Sequence, residues 1–446
     1  MSGSNFQPLM SLLAEVSAVQ KVGRIADAEN GRLLVSGLSG YARVGDRARI
    51  DCGTGALRSG EVLRLAKDVI TVVLTGSAQG VCLGNKVYLL ENNGFYPDIS
   101  WLGRVVDPDG QPLDGKVLVK GEKDYPLLAS PPKATDRRGL GARMETGLKV
   151  LNTLLPIARG QRVGLFSGSG VGKSTLLGQI ARNLDADVVV VALVGERGRE
   201  VSEFVSKTLG PKGMARSVIV AATSDQSPLV KRRAAWAAMS AAEYFRDQGK
   251  QVLLVCDSIT RFAEAHREIA VATGEFASMR GFPPSTGNQI MALCERAGPG
   301  FGDAGDITAV FSVLVAGSDM DEPIADITRG VLDGHIVLDR KIAERGRFPA
   351  IDVLRSVSRC LPDVASRREN DLINAARKSL GAYEASEMMI KAGLYAQGAD
   401  AFLDKAIRHW PLLDAFAAES EKEGTNQSFA ALASCFSEAE MATDAA

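Results

Sequence analysis

The fold of this chain is decided by residues 161–177, which read QRVGLFSGSGVGKSTLL. Residues 162–166 predict a short buried strand, and residues 173–175 begin a predicted helix. The loop between them contains three glycines: Gly168, Gly170 and Gly172. Glycine lets consecutive backbone N–H groups turn towards one anion, and a helix N-terminus adds unpaired donors and a partial positive charge. The stretch therefore predicts a phosphate-binding loop in an α/β domain.

The residues that follow this loop predict a nucleoside triphosphate and a metal ion as its ligands. We expect Lys173 to reach the β- and γ-phosphates, and the hydroxyl of Ser174 to bind Mg²⁺. The usual pattern has glycine where this chain has Ser167. The alternative is a glycine-rich turn in an ordinary α/β protein, which leaves Lys173 unexplained. The residues predicted to bind the phosphates are Gly168, Ser169, Gly170, Val171, Gly172, Lys173, Ser174 and Thr175.

Length and composition indicate a globular protein of several domains. The chain has 446 residues, a length that suggests about three domains. Hydrophobic residues make up 46% of it and charged residues 24%, and the formal net charge is −1. Because basic residues are not in excess, the composition gives no indication of a nucleic-acid partner, with a local basic patch as the alternative.

Cysteine spacing and hydropathy favour a cytoplasmic protein. The six cysteines are far apart and form no CxxC pair, so neither a zinc site nor a disulfide framework is predicted. No segment approaches the roughly 18 uninterrupted apolar residues of a membrane span. We therefore expect any membrane contact to be peripheral or to be made through partners.

The pattern along the chain divides it into four segments. Residues 1–21 predict an N-terminal helical segment with one apolar stripe, which packs either on a partner or on the chain's own barrel. Residues 22–92 carry short β-type runs between glycine turns, which predict a small closed β-barrel. Residues 93–362 predict the nucleotide-binding domain, and residues 363–446 predict a helical C-terminal domain rich in Ala, Glu, Lys and Leu.

The predicted barrel has a nucleic-acid-binding alternative, because small closed barrels also bind single strands. Its aromatic residues are Tyr41 and Tyr88. A stacking platform needs more aromatic side chains than these two. We therefore favour a structural or oligomer-forming barrel.

The nucleotide-binding domain alternates apolar runs with helical segments. Near-continuous apolar runs of this kind are typical of a parallel sheet that is covered on both faces. The predicted strands are residues 162–166, 188–194, 217–221, 252–257 and 309–315.

Two of these strands are followed by charged residues, at the edge where parallel sheets bind ligands. Asp257 ends the strand VLLVCD and is expected to hold the water shell of Mg²⁺, with a helix cap as the alternative role. After residues 188–194, Glu196 is the candidate that orients the attacking water, and Arg197 is the candidate cation near the γ-phosphate. The alternative for this second group is a solvated loop whose charges pair with one another.

A resemblance to a known family rests on several motifs. Their order and spacing are those of the rotary-type hexameric ATPases: SGSGVGKST, VGERGREV, LLVCDSITRFAEAHREIA, GFPPST and RFPAIDVLRSVSR. Within that superfamily the chain most resembles the bacterial flagellar and type III secretion export ATPases, especially in LDGHIVLDRKIAERGRFPAIDVL and ASEMMIKAGLYAQGAD. The resemblance covers nearly the whole chain and implies a RecA-like P-loop core between the barrel and the helical end.

The resemblance also implies roles for individual residues. It assigns phosphate contact to Lys173, magnesium binding to Ser174 and Asp257, catalysis to Glu196 and Arg197, adenine stacking to Phe348, and the part of an arginine finger to Arg359. An arginine finger acts from a neighbouring subunit, on the side of the γ-phosphate that the loop does not cover. One chain with loop, carboxylate and finger therefore implies a closed head-to-tail homo-oligomer, most simply a hexamer.

The function implied by the family is hydrolysis of ATP with Mg²⁺ to energise flagellar protein export through a type III secretion apparatus, at the inner face of the bacterial membrane. The implied partners are the export apparatus, a regulatory stator-like subunit, a stalk subunit, and export chaperones or substrates, with residues 381–398 as an implied contact surface. The alternatives are a virulence type III secretion ATPase, the catalytic subunit of a proton-translocating ATP synthase, a ring-shaped RNA translocase and a non-hydrolysing nucleotide-bound scaffold.

Overall fold

The computed structural model describes residues 19–29, 31–53, 55–90, 94–278, 280–315 and 319–436. The helix predicted within residues 1–21 lies outside these ranges except at its end, where Lys21 already begins a strand. Among the described residues, no helix combines the length and apolar character needed to cross a lipid bilayer.

The chain divides into two compact units. One contains the N-terminal strands together with residues Gln226–Val230 and Glu268–Phe276. The other contains the remaining chain from Phe95 onwards, including the C-terminal helices. The boundaries of the four segments proposed from the sequence stay a prediction.

The N-terminal unit is built on a closed barrel of six antiparallel strands in the order β1-β2-β5-β4-β3-β6. In β2 and β3 every second residue is buried, since successive side chains of a strand point to opposite faces. The inward side chains, among them Val35, Ile50 and Val72, form one apolar core. The barrel predicted from the sequence is confirmed. Its strands are β1 (Lys21–Glu29), β2 (Arg32–Ser36), β3 (Arg47–Asp51), β4 (Leu57–Leu65), β5 (Val69–Leu74) and β6 (Lys86–Leu90).

The second unit is built on an eight-stranded sheet in the order β14-β13-β8-β12-β11-β9-β10-β7. Neighbouring strands are parallel except β13 and β14, which are antiparallel. All six residues of β11 are buried, so both faces of the sheet are covered there. The strands are β7 (Arg104–Val106), β8 (Arg162–Ser167), β9 (Val188–Glu196), β10 (Ser217–Thr223), β11 (Val252–Asp257), β12 (Ile307–Leu314), β13 (Gly334–Leu338) and β14 (Ile351–Ser358).

The sheet is wider than the sequence predicted. Five strands correspond to the predicted runs, whereas β7, β13 and β14 were not predicted. β7 has three residues, too few for its apolar residues to define a period. The edge strand β14 matters for the site, because it reverses direction relative to the rest of the sheet.

Helices connect the strands and make up the C-terminal end. The last three helices share one apolar core with the sheet, in which Leu165 and Val191 cluster with Leu372, Phe416 and Leu432. The helical end predicted from the sequence is confirmed. The α-helices are Lys149–Asn152, Lys173–Asn183, Gly198–Glu203, Gly210–Met214, Pro228–Asp247, Ile259–Ala272, Ser285–Arg296, Pro323–Val331, Arg340–Glu344, Arg367–Lys391, Ala401–Ala418 and Thr425–Ala433, with a π-helical segment at Phe204–Leu209.

Candidate nucleotide site

The glycine-rich loop follows β8 directly and leads into the helix Lys173–Asn183. Gly170 and Gly172 have φ angles of 78° and 90°. Residues with a side chain rarely adopt this left-handed conformation, so both positions favour glycine. The loop thus reaches the free N–H groups of an eleven-residue helix, as the strand–loop–helix pattern predicted.

Ser167, which stands where the usual pattern has glycine, is the last residue of β8. Its backbone is regular, since its carbonyl accepts a hydrogen bond of 2.9 Å from the N–H of Val315. Its side chain is buried, and its hydroxyl has no hydrogen-bond partner among the described residues. Serine in place of glycine at position 167 therefore puts a buried hydroxyl at the end of the strand. The glycines of the loop keep their left-handed conformation.

Three of the predicted side chains meet at the carboxyl edge of the sheet. Lys173 Nζ contacts the Asp257 carboxylate and lies 4.0 Å from Oε1 of Glu196. Asp257 ends β11 and Glu196 ends β9, and these strands are neighbours. The carboxyl ends of parallel strands lie at one edge, which explains why residues so distant in sequence come together. The result is an ammonium group held between two carboxylates beside the loop.

The Asp257 carboxylate is buried and has a second partner. It is 4% exposed, and Ser312 Oγ donates a hydrogen bond of 2.6 Å to its Oδ1. Ser312 lies in the middle of β12, between β8 and β11. A buried charge needs such hydrogen-bond partners to offset the loss of its hydration. Sequence reasoning missed Ser312, because the sequence around a serine within an apolar strand does not indicate which carboxylate lies beside it in the fold.

Glu196 has an unusual protonation equilibrium. Burial, followed by a hydrogen bond shared with Glu200 and by the charge of Asp257, raises the pKa of Glu196 to about 7, while Lys173 opposes the rise. The same hydrogen bond lowers the pKa of Glu200. A carboxyl group with a pKa near neutrality is suited to exchange a proton or hydrogen bond with water.

Arg197 stands apart from this group. Its side chain is 81% exposed and forms an ion pair of 3.3 Å with Glu200. Two side chains that sequence reasoning did not single out lie beside the turn before Glu196 through their aliphatic carbons, and the Arg261 guanidinium pairs with Glu264 at 2.9 Å. A Cβ atom on Gly195 would lie 3.6 Å from Cβ of Arg261 and 3.7 Å from Cδ of Lys231. Arg261 follows Asp257 by one helical turn, and this spacing was the available indication of its position.

Phe348 lies beside the loop, although 175 residues separate it from Lys173 in sequence. A Cβ atom on Gly172 would lie 3.4 and 3.5 Å from two atoms of the Phe348 ring. Phe348 is 52% exposed, so much of its surface remains accessible to solvent. Nearby, Arg340 donates a hydrogen bond of 3.3 Å to the carbonyl of Ser169. An exposed aromatic side chain beside a phosphate loop can stack on a planar base.

Arg359 lies at the edge formed by the amino ends of the parallel strands, opposite the carboxyl edge that holds the loop. Leu338 pairs with Ser167 on one side and with Ile351 on the other, so the beginning of β14 lies beside the loop. The end of β14 pairs Ser358 with Gly334, and Arg359 follows it. Seven residues of extended chain span about 24 Å, more than an arginine side chain can bridge. The exposed Arg359 therefore does not reach the loop of its own chain.

Comparison with known proteins places the chain in a family. A model of the nucleotide-binding domain of the ATP synthase alpha/beta family matches residues 147–358, and a model of the T3SS EscN ATPase C-terminal domain matches residues 365–434. The flagellum-specific ATP synthase of Caulobacter vibrioides is 43% identical over 431 residues, which cover 94% of this chain and 96% of that protein. This chain belongs to the flagellar and type III secretion export ATPases. The membership predicted from the motifs is thus confirmed.

Solved structures agree with this export ATPase fold. The assembled ATPase EscN from the type III secretion system of enteropathogenic E. coli superposes with a TM-score of 0.86, at 35% identity, covering 93% of this chain and 99% of EscN. The same ATPase in complex with its central stalk EscO superposes with a TM-score of 0.83 at 35% identity, with the same coverage. The chain therefore shares a barrel, a nucleotide-binding sheet and a helical end with the export ATPases.

Proposed function

We propose that this export ATPase hydrolyses ATP with Mg²⁺ at the subunit interfaces of a homo-hexameric ring, and that hydrolysis energises export of flagellar proteins through a type III secretion apparatus. The observation that carries the proposal is the position of Lys173 Nζ between the carboxylates of Asp257 and Glu196. A phosphate loop alone binds an anion, whereas a second carboxylate with a raised pKa adds a group that can act on water.

The residues present fit ATP and Mg²⁺. The left-handed glycines and the helix N-terminus supply N–H donors for phosphate, and Phe348 offers its exposed side chain to adenine. Ser174 is exposed at the start of the helix, and Asp257 lies at the neighbouring strand end, so both supply the oxygen atoms that Mg²⁺ prefers. Bound there, Mg²⁺ would neutralise negative charge on the phosphate oxygens.

The chain's own residues then account for hydrolysis. Lys173 exchanges its contact with Asp257 for the β- and γ-phosphates. Glu196 accepts a hydrogen bond from a water molecule, orients its oxygen towards the γ-phosphorus and receives the proton that the water loses as it attacks. The new P–O bond forms as the bond to the bridging oxygen breaks, and ADP and phosphate leave. Arg197 adds positive charge near the γ-phosphate once its exposed side chain turns from Glu200 towards the site.

The position of Arg359 supports a ring. The length of β14, about 24 Å, separates Arg359 from the phosphate loop of its own chain. We therefore expect Arg359 to act on a nucleotide bound by another subunit. A contact that joins the sheet edge with Arg359 in one chain to the sheet edge with the phosphate loop in the next chain is head-to-tail. Such contacts can close into rings. The superposition on assembled EscN supports the same arrangement.

The partners proposed here follow from the family. EscN has been solved with its central stalk EscO, and we extend a stalk contact to the helical end of this chain. Residues 381–398 contain Met388 and Leu394, which are 86% and 78% exposed and offer apolar surface to a stalk, an export chaperone or a substrate. A regulatory stator-like subunit and the export apparatus complete the set, and they hold the ATPase at the cytoplasmic face of the membrane. Nucleic acid is not among the partners.

The flagellar system is favoured over a virulence system by similarity. The Caulobacter flagellar relative is 43% identical, whereas EscN is 35% identical. Two measurements test the proposal: phosphate release from ATP by the purified protein with and without Mg²⁺, and flagellation after deletion of the gene. We expect Mg²⁺-dependent hydrolysis and loss of flagella. Hydrolysis with intact flagella would reassign the export system, and an inactive purified ring would overturn the enzymatic proposal.

A further inference from the structure

The segment from Asp339 to Ile351 lies between the phosphate loop and the C-terminal helices. Asp339 caps the helix Arg340–Glu344 by accepting a hydrogen bond of 2.7 Å from the N–H of Lys341. On the loop side, Arg340 bonds to the Ser169 carbonyl and Phe348 lies against Gly172. The contacts on the other side determine where this segment, and with it the Phe348 ring, is held.

Arg347 makes the central contact on that other side. Its Nη1 donates a hydrogen bond of 2.7 Å to the carbonyl of Pro349, and its Nη2 donates one of 2.9 Å to the carbonyl of Ile351. Its Nε donates a bond of 3.2 Å to Oδ1 of Asp414, on the helix Ala401–Ala418. One guanidinium group thus joins the backbone that follows Phe348 to a C-terminal helix.

The Arg347–Asp414 pair is largely buried. The side chains are 10% and 24% exposed. Burial lowers the pKa of Arg347, and the charge of Asp414 and its hydrogen bond oppose the decrease. A buried cation needs a partner, so the position of Arg347 depends on Asp414. A change at Asp414 is therefore expected to shift Arg347 and the backbone that it holds.

The surroundings leave room for such a shift. A cleft of about 240 Å³ separates the segment from the C-terminal helices, lined in part by Arg345, Arg347 and Asp414. Across it, the Arg345 guanidinium lies 5.5 Å from the Trp410 ring centroid and 3.7 Å from Glu387. Beside this cavity, the polar contacts of the segment supplement the buried apolar side chains of Ile342, Ala350 and Ile351, whereas Phe348 is half exposed.

We propose that Arg347 and Asp414 are positioning residues that set the Phe348 ring at the distance from the loop at which it stacks on the base of the bound nucleotide. This inference rests on the proposed ATPase function, and specifically on adenine stacking by Phe348. It adds a contact from the C-terminal helices to the adenine half of the site. The phosphate half is held separately by the loop and by the ends of β9 and β11.

The variant Asp414→Asn tests the pair, because it removes the charge and keeps the shape. The expected result is an increase of about three- to tenfold in the KM for ATP, with a smaller change in kcat, since the base contact weakens while the reacting groups stay in place. Inorganic tripolyphosphate serves as a competitive inhibitor without a base, and its inhibition constant should stay within twofold. Asp414→Glu, which keeps the charge, should retain a KM near that of the unmodified protein.

Glu369→Gln is the matched control. Glu369 pairs with Arg143 at 3.0 Å with side-chain exposures of 22% and 11%, and it also lies on a C-terminal helix. It should reduce thermal stability by an amount similar to Asp414→Asn and leave the KM unchanged. An equal KM increase in the control, an unchanged KM in Asp414→Asn, or an equal loss of tripolyphosphate affinity would each overturn the inference.

Two further variants separate this inference from the proposed function. Phe348→Ala should raise the KM for ATP more than Asp414→Asn does. A normal KM in Phe348→Ala would overturn base stacking and the inference together, whereas an effect of Phe348→Ala without one of Asp414→Asn would overturn the positioning role alone. If Asp414→Asn does not fold, Arg347→Lys keeps the charge but loses the forked bonds to the two carbonyl groups, and the same KM increase is expected.

Discussion

The two edges of the central sheet carry unlike halves of the proposed site. At the carboxyl edge of β8, Lys173, Asp257 and Glu196 are mostly buried, and Lys173 forms ion pairs with both carboxylates. At the other edge, Arg359 is exposed at the end of the one strand that runs antiparallel to its neighbour. Buried charges must be paired within the chain, whereas an exposed cation can pair with a group on another molecule. Under the proposed function, nucleotide binding therefore belongs to one subunit and full catalysis to two.

The largest effect is expected at the exposed edge. Arg359→Ala should lower the kcat of the assembled ring by about a thousandfold or more, because an arginine finger neutralises charge that develops in the transition state. Nucleotide binding to the isolated chain should not change, since Arg359 is remote from its own loop. Phosphate release at high protein concentration and equilibrium binding of ATP measure the two effects.

A mixing experiment distinguishes action on the neighbour from action within one chain. Arg359→Ala and Lys173→Ala should each be inactive alone, and an equal mixture should regain hydrolysis at about a quarter of its interfaces, where an intact loop meets an intact finger. Arg368→Ala, which removes another exposed arginine, serves as the control and should behave like the unmodified protein. If the mixture formed rings of normal size but stayed inactive, the proposal that Arg359 acts on the loop of a neighbouring subunit would be contradicted.

At the buried edge, Glu196→Gln should lower kcat by about a hundred- to ten-thousandfold, because the amide does not accept a proton from water. ATP should still bind, since the loop and Lys173 are unchanged. Glu203→Gln is the control, because Glu203 is a half-buried carboxylate on the same connection and pairs with Arg199 and Lys207. Single-turnover measurements would separate chemistry from binding, and a variant that keeps a third or more of the normal rate would remove Glu196 from its proposed role.

The pH dependence at this edge follows from the pKa of about 7 for Glu196. The ionised carboxylate is the hydrogen-bond acceptor, so kcat should rise as the pH increases through about 7. Glu200→Gln removes the anionic partner that raises this pKa, and the rise should move to lower pH. A pH–rate profile of both proteins is the measurement, and an unshifted profile would show that another group titrates.

The raised pKa of Glu196 also affects stability. A carboxyl group whose pKa is higher in the folded than in the unfolded protein binds more protons when folded, so its contribution to the free energy of unfolding is present below about pH 4.5 and is lost as the pH rises through about 7. Glu196→Gln should therefore be more stable than the unmodified protein at pH 8 and similar to it near pH 4. Thermal unfolding at both values checks the sign.

Local sequence patterns were sufficient for the buried edge. The loop, Asp257 and Glu196 lie at strand ends that short apolar runs predict, and the parallel sheet brings those ends to one edge whatever their order. Patterns could not reveal Ser312, because its bond to Asp257 depends on which strands are neighbours. That order is fixed by tertiary packing.

The other edge could not be derived from local patterns. Arg359 at this edge, like Phe348 beside the loop, entered only through resemblance to a family, since neither an isolated arginine nor an isolated aromatic indicates its partner. Their positions depend on β14 and its reversal, and β14 was not predicted. The Arg347–Asp414 pair links residues 67 positions apart, and no local sequence pattern predicts it. Long-range pairing of this kind is visible only in the folded chain.

The smallest predicted effect concerns Ser167 and tests whether the geometry of the phosphate loop depends on this residue. The Ser167 hydroxyl is buried and has no partner among the described residues, so Ser167→Ala should stabilise the fold by about 1 kcal/mol without changing kcat more than twofold. Ser312→Ala is the matched variant on the adjacent strand, and it should destabilise the fold and lower activity because its hydroxyl serves Asp257. Chemical denaturation and steady-state kinetics on both variants provide the comparison. If Ser167→Ala lost activity, the loop geometry would depend on residue 167 rather than on its left-handed glycines.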